Sequence, residues 1–87
     1  MKLNIAKSIY SNRYYINIVN KKEIIFDMDL DITEYLDISY KKYIEILKKH
    51  NAYLEEDFDE MMFKNKSDAE NAIKELESYL ILTLLTN

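Results

Sequence analysis

The most regular hydrophobic pattern in the chain lies in residues 23–32, EIIFDMDLDI. Every second residue is apolar, and aspartates occupy the intervening positions from residue 27 onward. The apolar set is Ile24, Phe26, Met28, Leu30 and Ile32, and the acidic set is Asp27, Asp29 and Asp31. Because successive side chains of a strand point to opposite faces, this spacing predicts a strand with one apolar face toward a core and one acidic face.

Two further strands are predicted before this one, at residues 2–10 and 14–19. The first has Leu3, Ile5 and Ile9 on one face, interrupted by Lys7 as in many edge strands. The second, YYINIV, is rich in β-branched and aromatic residues and returns antiparallel to the first. Polar turn residues separate the three strands, so a three-stranded meander is expected.

Adjacent tyrosines open the second of these strands. Tyr14 and Tyr15 are neighbours on a strand, so one of them must face away from the core. Tyrosine is favoured where one end of the side chain is apolar and the other wet, so the outward one is a candidate interface residue.

The chain then changes to helical periodicity. A short helical turn through Tyr35 and Leu36 is expected, with Asp31 or Thr33 as its N-cap, and Asp37 or Ser39 caps the helix that follows. The apolar stripe of that helix is Tyr40, Tyr43, Ile44 and Leu47. The helix is expected to end at His50-Asn51, because the chain has no glycine and asparagine is the usual substitute in a left-handed C-terminal position.

A second hairpin and a last helix complete the predicted elements. Residues 52–56 and 60–64 form the hairpin around Asp57-Phe58-Asp59, and Ser67 with Glu70 matches the capping box at a helix start. The core stripe of the last helix is Ala69, Ala72, Ile73, Leu76 and Leu80. The fold predicted for residues 1–87 is a single small α+β domain: an antiparallel sheet (a β-meander plus a second hairpin) packed against two main helices, in the order β-β-β-α-β-β-α.

Composition removes several classes of protein. The 87 residues include no cysteine, glycine or proline, which excludes structural disulfides, thiolate catalysis and glycine-rich phosphate loops. The N-terminal residues lack the apolar run of a signal peptide, and no stretch approaches the ~20 apolar residues of a membrane span. We expect a cytoplasmic protein that does not bind membranes.

The net charge of −4 is unevenly distributed. Two stretches contain acids and no base; the acidic residues considered as candidates in them are Asp27, Asp29, Asp31 and Glu34 in the first and Glu55, Glu56, Asp57, Asp59 and Glu60 in the second. An acidic balance argues against direct nucleic-acid binding, which requires neutralisation of phosphates. The two patches are either solvated surface or a docking surface for a basic groove on a partner protein, in which Phe58 would be an aromatic anchor if it does not tuck under its hairpin.

No metal or catalytic site emerges from the motifs. Asp27-x-Asp29-x-Asp31 resembles the start of a calcium loop, but the sixth position is Ile32 where glycine is required and the twelfth is Ile38 where glutamate is required. His50 has no evident nucleophile or partner ligand, so a capping or surface role is expected. We therefore predict a protein without catalytic residues, metal or cofactor. A nuclease using the Asp stripe ranks last among the hypotheses.

The end of the last helix is apolar nearly all round. A helix of this kind is buried on several sides, either by the rest of the fold or by a partner. The candidate dimer-interface residues are Tyr79, Leu80, Leu82, Leu84 and Leu85. A self-associating structural or regulatory protein is therefore the alternative hypothesis.

Residues 34–77, with the helix start FKNKSDAE at 63–70, resemble small phage and mobile-element proteins of low-GC Gram-positive bacteria. In size, acidity and α+β build the chain is also similar to anti-CRISPR inhibitors, a class without a shared sequence signature. That resemblance implies an inhibitor whose carboxylates stand in for phosphates in the nucleic-acid groove of a CRISPR effector. The leading hypothesis is thus a small acidic inhibitor that docks on a basic protein surface.

Overall fold

The first three strands form an antiparallel meander with the second strand in the centre. The computed structural model describes residues 1–55 and 60–86, with side chains described as far as residue 79. Its elements are β1 (Lys2–Lys7), β2 (Tyr14–Asn20), β3 (Glu23–Phe26), α1 (Asp29–Leu36), α2 (Tyr40–Lys49), β4 (Tyr53–Glu55), β5 (Glu60–Met62) and α3 (Lys66–Thr86). This confirms the α+β class and the predicted order, with the short helical turn extended into a helix, α1, before α2.

The strand predicted for residues 23–32 is wrong in its second half. β3 ends at Phe26, and α1 begins at Asp29, so Asp29 and Asp31 lie in the first turn of a helix. Acidic residues are favourable there because they interact with the positive end of the helix dipole. Burial explains the change of period: Ile32 and Leu36, four residues apart, are fully buried, whereas Met28 and Leu30 are more than half exposed. Packing at helical spacing thus prevails over the alternating sequence pattern.

Two details at the start of the chain also differ from the prediction. β1 ends at Lys7, so Ile9 lies beyond the strand and is exposed. Ile24, expected in the core, lies on the edge strand β3 and is also exposed.

Helix boundaries follow the local capping chemistry in part. The Ser39 hydroxyl accepts the Lys42 N–H at 3.1 Å, which confirms Ser39 as the N-cap of α2. His50 is the C-cap, and Asn51 has a φ of 70°, as expected for asparagine in the left-handed region. The N-cap of α1 is Met28, and neither Asp31 nor Thr33 caps this helix, because its first turn begins two residues before Asp31.

The start of α3 differs from the predicted capping box. The helix begins at Lys66, which places Ser67 inside the first turn. Asn65 precedes it, and its carbonyl accepts the Ala69 N–H at 3.4 Å while its side-chain amide donates to Asp68. The helix therefore starts two residues earlier than an N-cap at Ser67 would give.

The second hairpin is joined to the meander through one residue pair. β4 and β5 are antiparallel, and Phe63 follows β5. The N–H of Tyr14 donates to the Phe63 carbonyl at 2.9 Å, and the N–H of Phe63 donates to the Tyr14 carbonyl at 2.7 Å. The Phe63 side chain is fully buried. This bridge fixes the position of β5 beside the start of β2.

The core lies between the meander, the hairpin and the three helices. Its members include Leu3, Ile16, Ile18, Ile32, Leu36, Tyr43, Ile46, Leu47, Met61, Phe63, Ala69, Ala72 and Leu76. Ala69, Ala72 and Leu76 confirm the stripe predicted for α3. The stripe of α2 is shifted: Ile46 is buried and Tyr40 is 47% exposed, because residues 43, 46 and 47 form the inward face. In the part of the chain that the structure describes, no helix is long and apolar enough to cross a membrane.

Candidate functional site

A pocket of about 300 Å³ lies beside Tyr15, where the start of β2 meets β5. We call it the Tyr15 pocket; its lining residues are Ser8, Ile9, Tyr10, Tyr15, Asp27, Glu60 and Met62. Asp27 directly follows β3, and Glu60 is the first residue of β5. The Tyr14–Phe63 bridge brings these elements together, so the pocket is made by residues far apart in the chain.

The electrostatics of this pocket are dominated by its two carboxylates. Partial burial raises the pKa of Tyr15 above its usual value of 10.0, and the charges of Asp27 and Glu60 raise it further. At neutral pH the tyrosine is therefore a neutral donor beside negative charge. No lysine or arginine is among the described lining residues.

A second pocket of about 300 Å³ adjoins the first on the other side of Glu60, which lines both. We call it the Tyr40 pocket; its lining residues are Met28, Asp29, Leu30, Tyr40 and Glu60. The N-terminal turns of α1 and α2 supply most of its wall. Asp29 and Glu60 again give this pocket a negative character.

Asp29 also has a structural role. The fully buried Tyr43 donates its hydroxyl to Asp29 Oδ1 at 3.2 Å, and the backbone N–H of Met61 donates to Asp29 Oδ2 at 3.2 Å. One carboxylate thereby connects α1 to α2 and to β5. Burial, followed by the charge of Asp29, raises the pKa of Tyr43 well above its usual value. This network fixes the start of α1 beside β5, the strand that carries Glu60.

The structure brings together part of the predicted acidic set. Asp27 and Asp29 from the first patch and Glu60 from the second line the two adjoining pockets. Asp31, Glu34 and Glu55 line neither pocket. The expectation of one acidic strand face is wrong, because the chain turns into a helix after Asp27.

Other predicted site residues are outside what the structure describes. Glu56, Asp57, Phe58 and Asp59 lie between the described ranges, and the side chains of Leu80, Leu82, Leu84 and Leu85 lie beyond the last described side chain, at residue 79. Tyr79 is half-buried and packs against the core, with the Lys42 ammonium 5.9 Å from its ring centre. Its position gives a packing role within the chain.

Sequence reasoning missed the apolar rim of the pockets. Ile9, Met28, Leu30 and Tyr40 were expected to face the core, and all four are exposed. Tyr10, at the end of the strand predicted for residues 2–10, is exposed as well. The adjacent tyrosines carried the useful signal: Tyr14 packs against the core, and its outward neighbour Tyr15 lines a pocket.

Among the described residues, no group of three acidic or histidine side chains could hold a metal ion. Comparison with known proteins gave no match to a family model, a curated protein or a solved structure.

Proposed function

We propose that this chain is a small acidic inhibitor that docks on a basic surface of a partner protein through the Tyr15 and Tyr40 pockets. The supporting observation is the convergence of Asp27, Asp29 and Glu60 on two adjoining pockets. The partner surface is a nucleic-acid-binding groove, for which clustered carboxylates are an electrostatic substitute for phosphates. A CRISPR effector is the partner class to test first, in view of the resemblance in size, acidity and build.

Charge supports the direction of this proposal. The chain carries a net charge of −4, and the fold brings together the acids of the two pockets from the end of β3, the start of α1 and the start of β5. Opposite charge across an interface accelerates association and fixes the register of the two surfaces. The same negative surface repels free nucleic acid, so the chain acts on the protein and not on its substrate.

The rim of the pockets supplies apolar contact area. Ile9 and Tyr10 are 86% and 76% exposed, and Met28, Leu30 and Tyr40 are 57%, 60% and 47% exposed. Single exposed apolar side chains are ordinary on protein surfaces, but five around two adjoining pockets form a group. Aromatic residues and methionine are enriched at interfaces, where they contribute much of the binding energy.

The test is a pull-down from a low-GC Gram-positive lysate with tagged wild-type protein, eluted first at low and then at high salt. A double variant, Asp27→Asn with Glu60→Gln, is compared with a control, Glu45→Gln with Glu77→Gln. The control residues are exposed acids on α2 and α3. Each variant removes two negative charges, so both change the net charge equally. Circular dichroism melts establish that each variant folds.

The expected result is a basic nucleic-acid-binding protein that salt releases and its own nucleic acid competes off. Wild type and control retain it, and the Asp27/Glu60 variant loses it. Equal retention by both variants would overturn the proposal, as would an empty eluate. An empty eluate together with a dimeric mass in light scattering would favour the self-associating alternative.

A further inference from the structure

We infer that the Tyr15 pocket is the subsite for one arginine side chain of the partner protein. This inference rests on the proposed function and specifies the chemistry of its central contact. The pocket volume of about 300 Å³ is at the lower end of the range for ligand sites, about 300–1,000 Å³. It suits one inserted side chain better than a length of backbone.

The arrangement of polar groups matches a guanidinium ion. Asp27 and Glu60 are far apart in the chain, and both line the same small pocket beside Tyr15. Arginine presents five N–H donors in one plane, which can bond two carboxylates at once. Lysine is a compact and strongly hydrated point charge, and it cannot reproduce that planar set of donors.

The Tyr15 ring supplies a surface for the same cation. Tyrosine rings elsewhere in the chain already carry intramolecular cations: Arg13 and Lys64 are each 5.8 Å from the Tyr53 ring centre, and Lys7 is 6.0 Å from that of Tyr14. In the described ranges, no lysine or arginine of this chain lies over the Tyr15 ring. A guanidinium stacked there gains a cation–π contact in addition to its carboxylate bonds.

The apolar walls complete the match. Met62 is 3% exposed and forms part of the lining, and Ile9 stands at the rim. The aliphatic stem of an arginine can pack along such residues while its charged head reaches the carboxylates. A phosphate or a carboxylate would be repelled from the same site.

The experiment measures small cations directly, without the partner. ¹⁵N–¹H NMR spectra of the full chain are recorded with butylguanidinium, butylammonium and the neutral isostere butylurea. Butylguanidinium is expected to bind weakly, with a Kd on the order of 1 mM or above, and to shift the amides of Ser8, Tyr15, Asp27 and Met62. Butylurea is expected to bind at least ~10-fold more weakly because it lacks the charge.

Variants identify the groups responsible. The Asp27→Asn/Glu60→Gln variant is expected to weaken butylguanidinium binding by ~10-fold, and Tyr15→Leu by several-fold, on the order of 1 kcal/mol for the lost cation–π contact. The Glu45→Gln/Glu77→Gln control is expected to stay within about twofold of wild type, as exposed distant charges are screened by salt. Retained dispersion in the spectra establishes folding of each variant.

Three results would overturn the inference: equal affinity for butylammonium, equal affinity for butylurea, or shifts located away from the Tyr15 pocket. The outcome is separable from that of the pull-down. If a partner is captured and butylguanidinium does not bind, the proposed docking on a basic partner is supported and the arginine subsite is overturned. If butylguanidinium binds and no partner is found, the guanidinium site stands and its assignment to a protein partner is overturned.

Discussion

The hydrogen bonds of Asp29 make the stability of this fold depend on one carboxylate. Asp29→Ala removes the acceptor of the Tyr43 hydroxyl and of the Met61 N–H, both at 3.2 Å. A hydrogen bond to a charged group contributes about 1.5–3 kcal/mol to stability, and the lower value suits a half-buried carboxylate. For the two bonds together, the expected destabilisation is therefore about 3 kcal/mol. A domain of this size has a free energy of unfolding of roughly 4–13 kcal/mol, so the loss is a large fraction of the total.

A double-mutant cycle with Tyr43→Phe separates the two bonds. That change keeps the buried ring and removes only the hydroxyl, so the expected cost is about 1.5 kcal/mol. Both single variants lose the bond between Asp29 and Tyr43, but the double variant loses it only once. The cost of the double variant is therefore about 1.5 kcal/mol less than the sum of the two single costs, and this difference is the coupling energy between Asp29 and Tyr43. Urea unfolding followed by circular dichroism at 222 nm measures these values. With an m-value of about 1.5 kcal/mol per molar, a 1.5 kcal/mol loss lowers the midpoint by about 1 M.

Asp31→Ala is the matched control for this cycle. Asp31 lies in the same first turn of α1, so its removal changes the helix-dipole interaction in the same way, by about 0.3–1 kcal/mol. Equal destabilisation by Asp29→Ala and Asp31→Ala would refute the proposed network. So would a coupling energy near zero between Asp29 and Tyr43.

Three further predictions concern titration and capping. The pKa of Tyr43 is raised in the folded state, so the contribution of its neutral hydroxyl to stability is complete below pH 10 and is lost as pH rises above that value. Tyr43→Phe should therefore reduce the fall of the urea midpoint at alkaline pH. An unchanged fall would contradict this prediction. Hydrogen bonds from Lys49 and His50, at the end of α2, lower the pKa of Glu75 below the usual 4.5. Its stabilisation, about 0.5–1 kcal/mol because the group is partly exposed, is therefore present above pH 4.5 and lost as pH falls further. Urea midpoints of Glu75→Gln and wild type should converge in acid, whereas Glu77→Gln should differ little from wild type at any pH. Ser39→Ala removes the acceptor of the Lys42 N–H and should cost about 1 kcal/mol in the same assay, and Ser39→Asp should restore most of it.

The acidic face illustrates where sequence reasoning reached its limit. Alternation over residues 23–32 matches the strand template, and its aspartates are the first acidic patch of candidate residues. The template failed after Asp27, because Ile32 and Leu36 reach the core only if the backbone is helical. Their burial depends on residues of β2, α2 and α3 that are far away in sequence.

The sequence by itself determined the features that depend on near neighbours. These include the order of strands and helices apart from the start of α1, the serine cap of α2 and the left-handed Asn51, all of which follow from periodicity and from bonds within a few residues. Only the tertiary structure decided that Asp27 and Glu60 share a pocket beside Tyr15. That meeting depends on the hairpin docking on β2 through Phe63, and such a contact between distant segments leaves no periodic signal in the chain.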